Sequence, residues 1–201
     1  MGVTRGFSGR RREPAGKLPP GQYDAGAAWP VLNAEATPTI PTESWTFTVS
    51  GLVEQPTTWS WDEIHALPAA TYRGDIHCVT MWSKFGVSFS GVSVDTLLDI
   101  VQPQPSATHV LVSAQTGYTT NLPLEEITGG KAFVVWDYDD EPLPVEHGGP
   151  ARMIVPHLYF WKSTKWVSGF ELLDHDEPGF WERNGYHDLG DPWKEQRYQG
   201  D

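Results

Sequence analysis

Cysteine is almost absent. A single thiol, Cys78, in 201 residues excludes an intrachain disulfide and any cysteine-rich zinc or iron–sulfur site. No run of about 18 apolar residues occurs, so no transmembrane helix is expected. Positive charge is scarce: 14 Lys and Arg stand against 26 Asp and Glu, a formal net charge of −12. Nucleic acid is therefore a poor partner for the chain as a whole. No internal repeat or low-complexity tract is present. What is plentiful is turn formers and aromatics, with 20 Gly, 17 Pro, 10 Trp, 7 Tyr and 8 Phe. That mixture argues against a helical bundle and for many short strands joined by turns. The chain is long enough to bury a core without disulfide staples.

The scarce positive charge is also unevenly placed. Arg5, Arg10, Arg11, Arg12 and Lys17 precede the first strong structural signals, with Glu13 alone opposing them. Residues 1–18 are expected to be a mobile basic arm, either solvated or touching a polyanion, and 19–201 a single domain. Arg10-Arg11-Arg12 is followed by Glu13, Pro14, Ala15, Gly16 and Lys17 rather than an apolar stretch. That does not match a twin-arginine export signal, and a cytoplasmic location is expected.

Within the domain, Trp45–Val49 alternates like a strand. Ser60 with Glu63 has capping-box spacing, which predicts a short helix to about Leu67, before Pro68. Thr71–Val79 reads as a strand delivering Cys78. Val94, Leu97, Leu98 and Val101 share one face of a predicted helix that stops before Pro103. His109–Ser113, Ala132–Asp137, Ala151–Val155 and Lys165–Leu173 read as further strands, with a single helical turn over Leu124–Ile127. The fold class is α+β, strand-dominated, with mixed sheets and short helices.

Three constellations carry potential chemistry. Cys78 lies in Ile76-His77-Cys78-Val79-Thr80-Met81-Trp82-Ser83. It reads either as a small buried hydrophobe or as a thiolate, acting as nucleophile or as ligand of a soft metal. His77 is a poor base for it, because neighbours on a strand point to opposite faces. The second constellation is His147-Gly148-Gly149-Pro150-Ala151-Arg152 followed by Lys162-Ser163-Thr164-Lys165-Trp166. Arg152 and Lys165 read as phosphate holders or as surface ion-pair partners. The third runs from Pro178 to His187 and on to Asp191-Pro192-Trp193. It reads as a long ordered loop that either lines a site or wraps the core edge.

Together these segments resemble the molybdenum-cofactor domain of the sulfite oxidase family. That family includes sulfite oxidases, assimilatory nitrate reductases and the catalytic subunit of periplasmic methionine-sulfoxide reductases. The resemblance spans about Pro19 to Tyr198. It implies a sulfite-oxidase-like fold binding molybdopterin and molybdenum, with Cys78 as the metal's protein ligand. It implies cofactor-binding roles for His147, Arg152, Ser163, Thr164 and Lys165, and the role of active-site tyrosine for Tyr186. Gly21-Gln22 and Trp29-Pro30-Val31-Leu32 resemble a segment lying along the cofactor. The implied reaction moves one oxygen atom to or from a small S-oxide, N-oxide or oxyanion while the metal changes by two electrons. No haem, flavin or dimerisation domain is recognisable, so a monomer served by a separate electron-transfer protein is expected. Relatives that oxidise sulfite carry an arginine shortly after the cysteine. Here that stretch holds Trp82 and Lys84, with Lys84 as a substitute cation and Trp82 pointing to a more apolar substrate. Two alternatives accompany this reading: a molybdopterin-binding or storage protein without turnover, and a metal-free cysteine hydrolase.

Overall fold

The computed structural model describes residues 18–201. Apart from Leu18, the basic arm expected over 1–18 lies outside them. The described chain runs β1 (Tyr23–Asp24), β2 (Thr46–Gly51), β3 (Thr57–Ser60), α1 (Trp61–His65), β4 (Ala69–His77), β5 (Trp82–Ser93) and α2 (Val94–Val101). It continues through β6 (His109–Ala114), β7 (Thr119–Pro123), β8 (Phe133–Tyr138), β9 (Glu141–Pro142), β10 (Arg152–Ile154), β11 (Val167–Leu173) and α3 (Phe180–Arg183). Short 3₁₀ turns fill several connections. This is the strand-dominated α+β class expected from the turn-rich composition.

Two sheets form. In the first, β5 is the spine: β4 pairs along one edge, antiparallel, while β1 (parallel) and β8 (antiparallel) share the other. β9 and β10 both pair with β8. The second sheet has the order β3-β2-β11-β6-β7, with β11 parallel to β2 and antiparallel to β6.

β8 explains how the sheets make two cores. Val134 joins a large cluster with Phe47, Val112, Phe170 and the α2 side chains. Its neighbours Phe133 and Val135 point the other way, into a cluster with Ile76, Phe89, Phe160 and Cys78. A strand buried on both faces reads as an unbroken apolar run, as Ala132 to Val135 does. Cys78 therefore belongs to the second core.

The local signals act as their chemistry predicts. Ser60 and Glu63 form a reciprocal capping box at α1, which ends at His65, short of the expected Leu67. Ser93 Oγ accepts from the Asp95 N–H at 3.2 Å and starts α2, whose Val94, Leu97, Leu98 and Val101 are all buried. At the register shift between Ser90 and Gly91, the β5–β8 pair closes tightly. A Cβ on Gly91 would lie 2.0 Å from the Val134 carbonyl oxygen, so only glycine fits there.

Candidate active site

β4 ends at His77, two residues short of the Val79 end expected for the strand carrying Cys78. Cys78 instead opens the tight turn into β5. Its N–H donates to the Trp82 carbonyl at 2.8 Å, and the Met81 N–H donates back to the Cys78 carbonyl at 3.0 Å. Met81 takes φ of 73°, an uncommon value for a residue other than glycine. The sulfur is thus held by the closed end of a hairpin. Thr80 Oγ1 donates to Cys78 Sγ at 3.2 Å, and the backbone N–H groups of Val79 and Thr80 also act on it. Burial pushes the thiol pKa up, while these three donors and the Lys165 ammonium pull it down. Burial is the larger effect and the free sulfur is held as a thiol; the donors reduce the cost of an anionic sulfur there without making the thiol acidic.

His77 faces elsewhere, with Nδ1 2.8 Å from Ser83 Oγ, and burial lowers its pKa. Among the described residues, no histidine or carboxylate is hydrogen-bonded to the Cys78 sulfur. The oriented base of a cysteine hydrolase is not formed here.

Cys78 opens into a cavity of ≈ 260 Å³ that also takes in His147, Arg152, Ser163, Thr164, Lys165 and Tyr186. The residues to which the resemblance gave metal, cofactor or active-site roles thus reach one place, while Gly21, Gln22 and Lys84 do not line it. The Gly148 turn brings two of the segments together: φ is 112°, and a Cβ there would lie 3.0 Å from both Arg152 Cβ and Lys165 Cα.

Arg152 is not a surface ion-pair partner. It is buried, stacked 4.1 Å from the Phe160 ring centroid. Its guanidinium donates to the carbonyls of His147 (2.7 Å), Ser163 (2.6 Å) and Met153 (3.3 Å). Burial drives its pKa down to about 9. Ser163 Oγ is also committed, accepting from the Val155 N–H at 2.8 Å. Lys165 donates to the Leu32 carbonyl at 3.0 Å, the Glu146 carbonyl at 2.8 Å and the Asn33 side chain. Burial, then the Arg152 charge, lowers its pKa to about 7. His147 is likewise lowered to about 4, by burial and then by Arg152 and Lys165. Its ring stacks on Trp29 with centroids 3.6 Å apart and 7° between planes.

The C-terminal constellation is mostly loop, as expected, but it includes the single helical turn α3 and a 3₁₀ turn at Pro192–Lys194. It brings Trp181 and Tyr186 to the cavity. Burial, with the Tyr198 and Cys78 charges, raises the Tyr186 pKa, so the phenol keeps its proton at neutral pH.

Lys84 does not serve as the cation after the cysteine. It is buried, and Nζ donates to the carbonyls of Gly26, Ala27 and Ala28 at 3.1, 3.3 and 3.3 Å. Trp82, by contrast, lines the cavity as its apolar character suggested. Sequence reasoning did not single out the Thr80 hydroxyl or the cavity-lining Asn33, Glu35, Tyr118 and Trp161. Only Thr80, two residues from Cys78, had a local signal that could have found it.

The residues fit a molybdopterin. The sulfur is surrounded by donors suited to a metal-bound thiolate. Two buried polar atoms of cavity-lining residues, Trp82 Nε1 and Thr164 Oγ1, have no hydrogen-bond partner among the described residues, which a polar ligand would satisfy. Lys165 and Arg152 make the wall locally positive in an acidic chain.

Comparison with known proteins agrees. The family model described as "Oxidoreductase molybdopterin binding domain" matches residues 34–181. An "Uncharacterized oxidoreductase YuiH" of Bacillus subtilis is 38% identical over 193 residues, covering 96% of this chain and 97% of that protein. The protein-methionine-sulfoxide reductase catalytic subunit MsrP of Gluconobacter oxydans is 28% identical over 81% of this chain, which spans 56% of that relative. The sulfane dehydrogenase SoxCD of Paracoccus pantotrophus shares the fold, with a TM-score of 0.64 at 18% identity over 70% of this chain and 41% of that one. From the matched domain and the near full-length likeness, the protein belongs to the molybdopterin-binding oxidoreductases of the sulfite oxidase family, with molybdenum and molybdopterin as cofactor.

Proposed function

We propose that the protein is an oxygen-atom transferase acting on a small neutral S-oxide or N-oxide, with Cys78 as the protein ligand of molybdenum. In the reductive direction the balance is R₂SO + 2 H⁺ + 2 e⁻ → R₂S + H₂O. When bound, the molybdenum cofactor supplies the two-electron centre for this exchange. The chain's residues bind, orient and exclude water. Cys78 fixes the sulfur at the hairpin end, and its pocket of donors tunes that sulfur as a ligand. Thr164, whose buried hydroxyl has no protein partner among the described residues, meets a polar part of the cofactor, and Lys165 adds positive potential to the wall without giving up its protein oxygens. His147 offers a flat face against Trp29, while Arg152 and Ser163 hold the loops in shape. Tyr186, protonated at neutral pH, donates a hydrogen bond to the transferring oxygen.

The observation carrying the neutral-substrate reading is the fate of the cations. Lys84, Arg152 and Lys165 are each bound to protein oxygens, so none is left to grip a sulfite-like oxyanion. Electrons would come from a separate protein, to a monomeric enzyme. The name of MsrP, a methionine-sulfoxide reductase, supports an S-oxide as substrate class.

The test uses protein made in a molybdopterin-competent host. Reduced enzyme should be reoxidised by dimethyl sulfoxide and not by sulfate. Cys78→Ser should keep its pterin but lose turnover by about 10²-fold or more. A fully active Cys78→Ser variant would end the ligand assignment, and no reoxidation by any S- or N-oxide would favour storage without turnover.

A further inference from the structure

Behind the cavity wall lies a pair of charges not assigned to any role above. Lys162 and Glu182 have fully buried side chains, with Nζ 2.6 Å from Oε1. Lys162 also donates to the Asn121 carbonyl at 2.8 Å and to Asn121 Oδ1 at 2.9 Å. The same Glu182 Oε1 accepts from Trp161 Nε1 at 2.9 Å and Thr120 Oγ1 at 3.1 Å. The cluster therefore ties together β7, the 3₁₀ turn Phe160–Lys162 and α3. Stability alone is a weak explanation for it, since desolvating two charges offsets most of their attraction.

Its neighbours supply a better one. Trp161, whose ring nitrogen Glu182 holds, meets Tyr186 edge-on, with centroids 5.2 Å apart and 81° between planes. Tyr186 in turn lies 4.8 Å from Trp181, the residue directly before Glu182. All three rings line the cavity. One carboxylate thus sets the plane of Trp161 through its side chain and the seat of Trp181 through its backbone, with Tyr186 between the two. Oε1 accepts from three donors, one of them an ammonium, and a charged oxygen accepts more strongly than a neutral one, while Oε2 is buried with no partner among the described residues. A buried carboxylate then needs a counter-charge, which Lys162 supplies.

We propose that Glu182, balanced by Lys162, is the positioning residue of the aromatic wall against which the substrate binds. This rests on the reading of the cavity as the reaction site. Two variants separate positioning from support. Lys162→Met with Glu182→Leu removes both charges and leaves apolar volume. Its melting temperature should fall, since Trp161 Nε1, Thr120 Oγ1 and the Asn121 oxygens lose their buried partners. Its near-ultraviolet circular dichroism should change, and its KM for dimethyl sulfoxide should rise about tenfold or more at unchanged molybdenum content. Glu182→Gln keeps an oxygen for Trp161 but strands the ammonium. It should melt more than about 4 °C lower yet keep the parent's KM and dichroism.

A purely structural role predicts that KM follows melting temperature in both variants, and that result would overturn the assignment. So would a double variant with the parent's KM and dichroism, or one that does not fold. If the loaded parent fails to turn over dimethyl sulfoxide, the reaction-site reading fails. The dichroism of the metal-free variants still decides the positioning role.

Discussion

His147 shows how a single side chain in this site carries a measurable cost. Burial and two neighbouring cations hold its pKa near 4, below the ordinary value of about 6.5. Between those values the unfolded chain binds the proton and the folded chain does not. Stability therefore falls as pH drops from about 6.5 towards 4. Urea midpoints of the metal-free protein across this window should decline more steeply for the parent than for His147→Gln. Equal slopes would mean that the imidazole is not held neutral. The identity of such residues was legible, because the spacing of His147, Arg152 and Lys165 around glycines matches a known pattern. Their saturation was not. The partners of Arg152 and Lys84 are backbone carbonyls, within 11 residues for Arg152 and 56–58 residues away for Lys84, and nothing in a linear sequence marks a carbonyl as near. Lys84 looked like a substitute for a substrate-gripping arginine, yet it secures the Gly26–Ala28 backbone.

At the scale of elements, the most exacting contact is the register shift between β5 and β8. Gly91→Ala would press a methyl group into the Val134 carbonyl and force the spine strand away from β8. A loss of about 3–5 kcal/mol is expected, read as a fall in the urea midpoint. A change below about 0.5 kcal/mol would show that the pair can relax at no cost. Helices were the legible part, since α1 and α2 carry caps and a 3.6-residue spacing written into contiguous residues. The spine β5 was not recognised. Ser83, Lys84, Ser88, Ser90 and Ser93 interrupt its apolar positions, and its burial comes from pairing on both edges. β10 was placed within a residue at each end, because Met153, Ile154 and Val155 form a continuous apolar run after Arg152.

Across the whole molecule, β8 sends alternate side chains into both cores, so neither sheet can loosen without disturbing the other. Heat or urea should unfold the metal-free chain in one step, with far- and near-ultraviolet dichroism superimposing. Two separated transitions would show that the cores are independent. The expected division into arm and domain remains a proposal, since the arm lies outside the described residues. The α+β class was legible from the balance of glycine, proline and aromatics. The pairing order of the strands was not, because it depends on contacts far apart in the chain.

The lone thiol at the end of the β4–β5 hairpin also makes the protein its own gauge. With Cys78 the only cysteine in 201 residues, a sulfhydryl reagent added under denaturing conditions counts chains, one for one. Added to the native protein, the same reagent must reach a buried sulfur whose pKa is raised, so labelling of the metal-free chain is expected to be slow and to speed up as the hairpin end opens. The one thiol thereby reads local opening beside the cavity without any added probe.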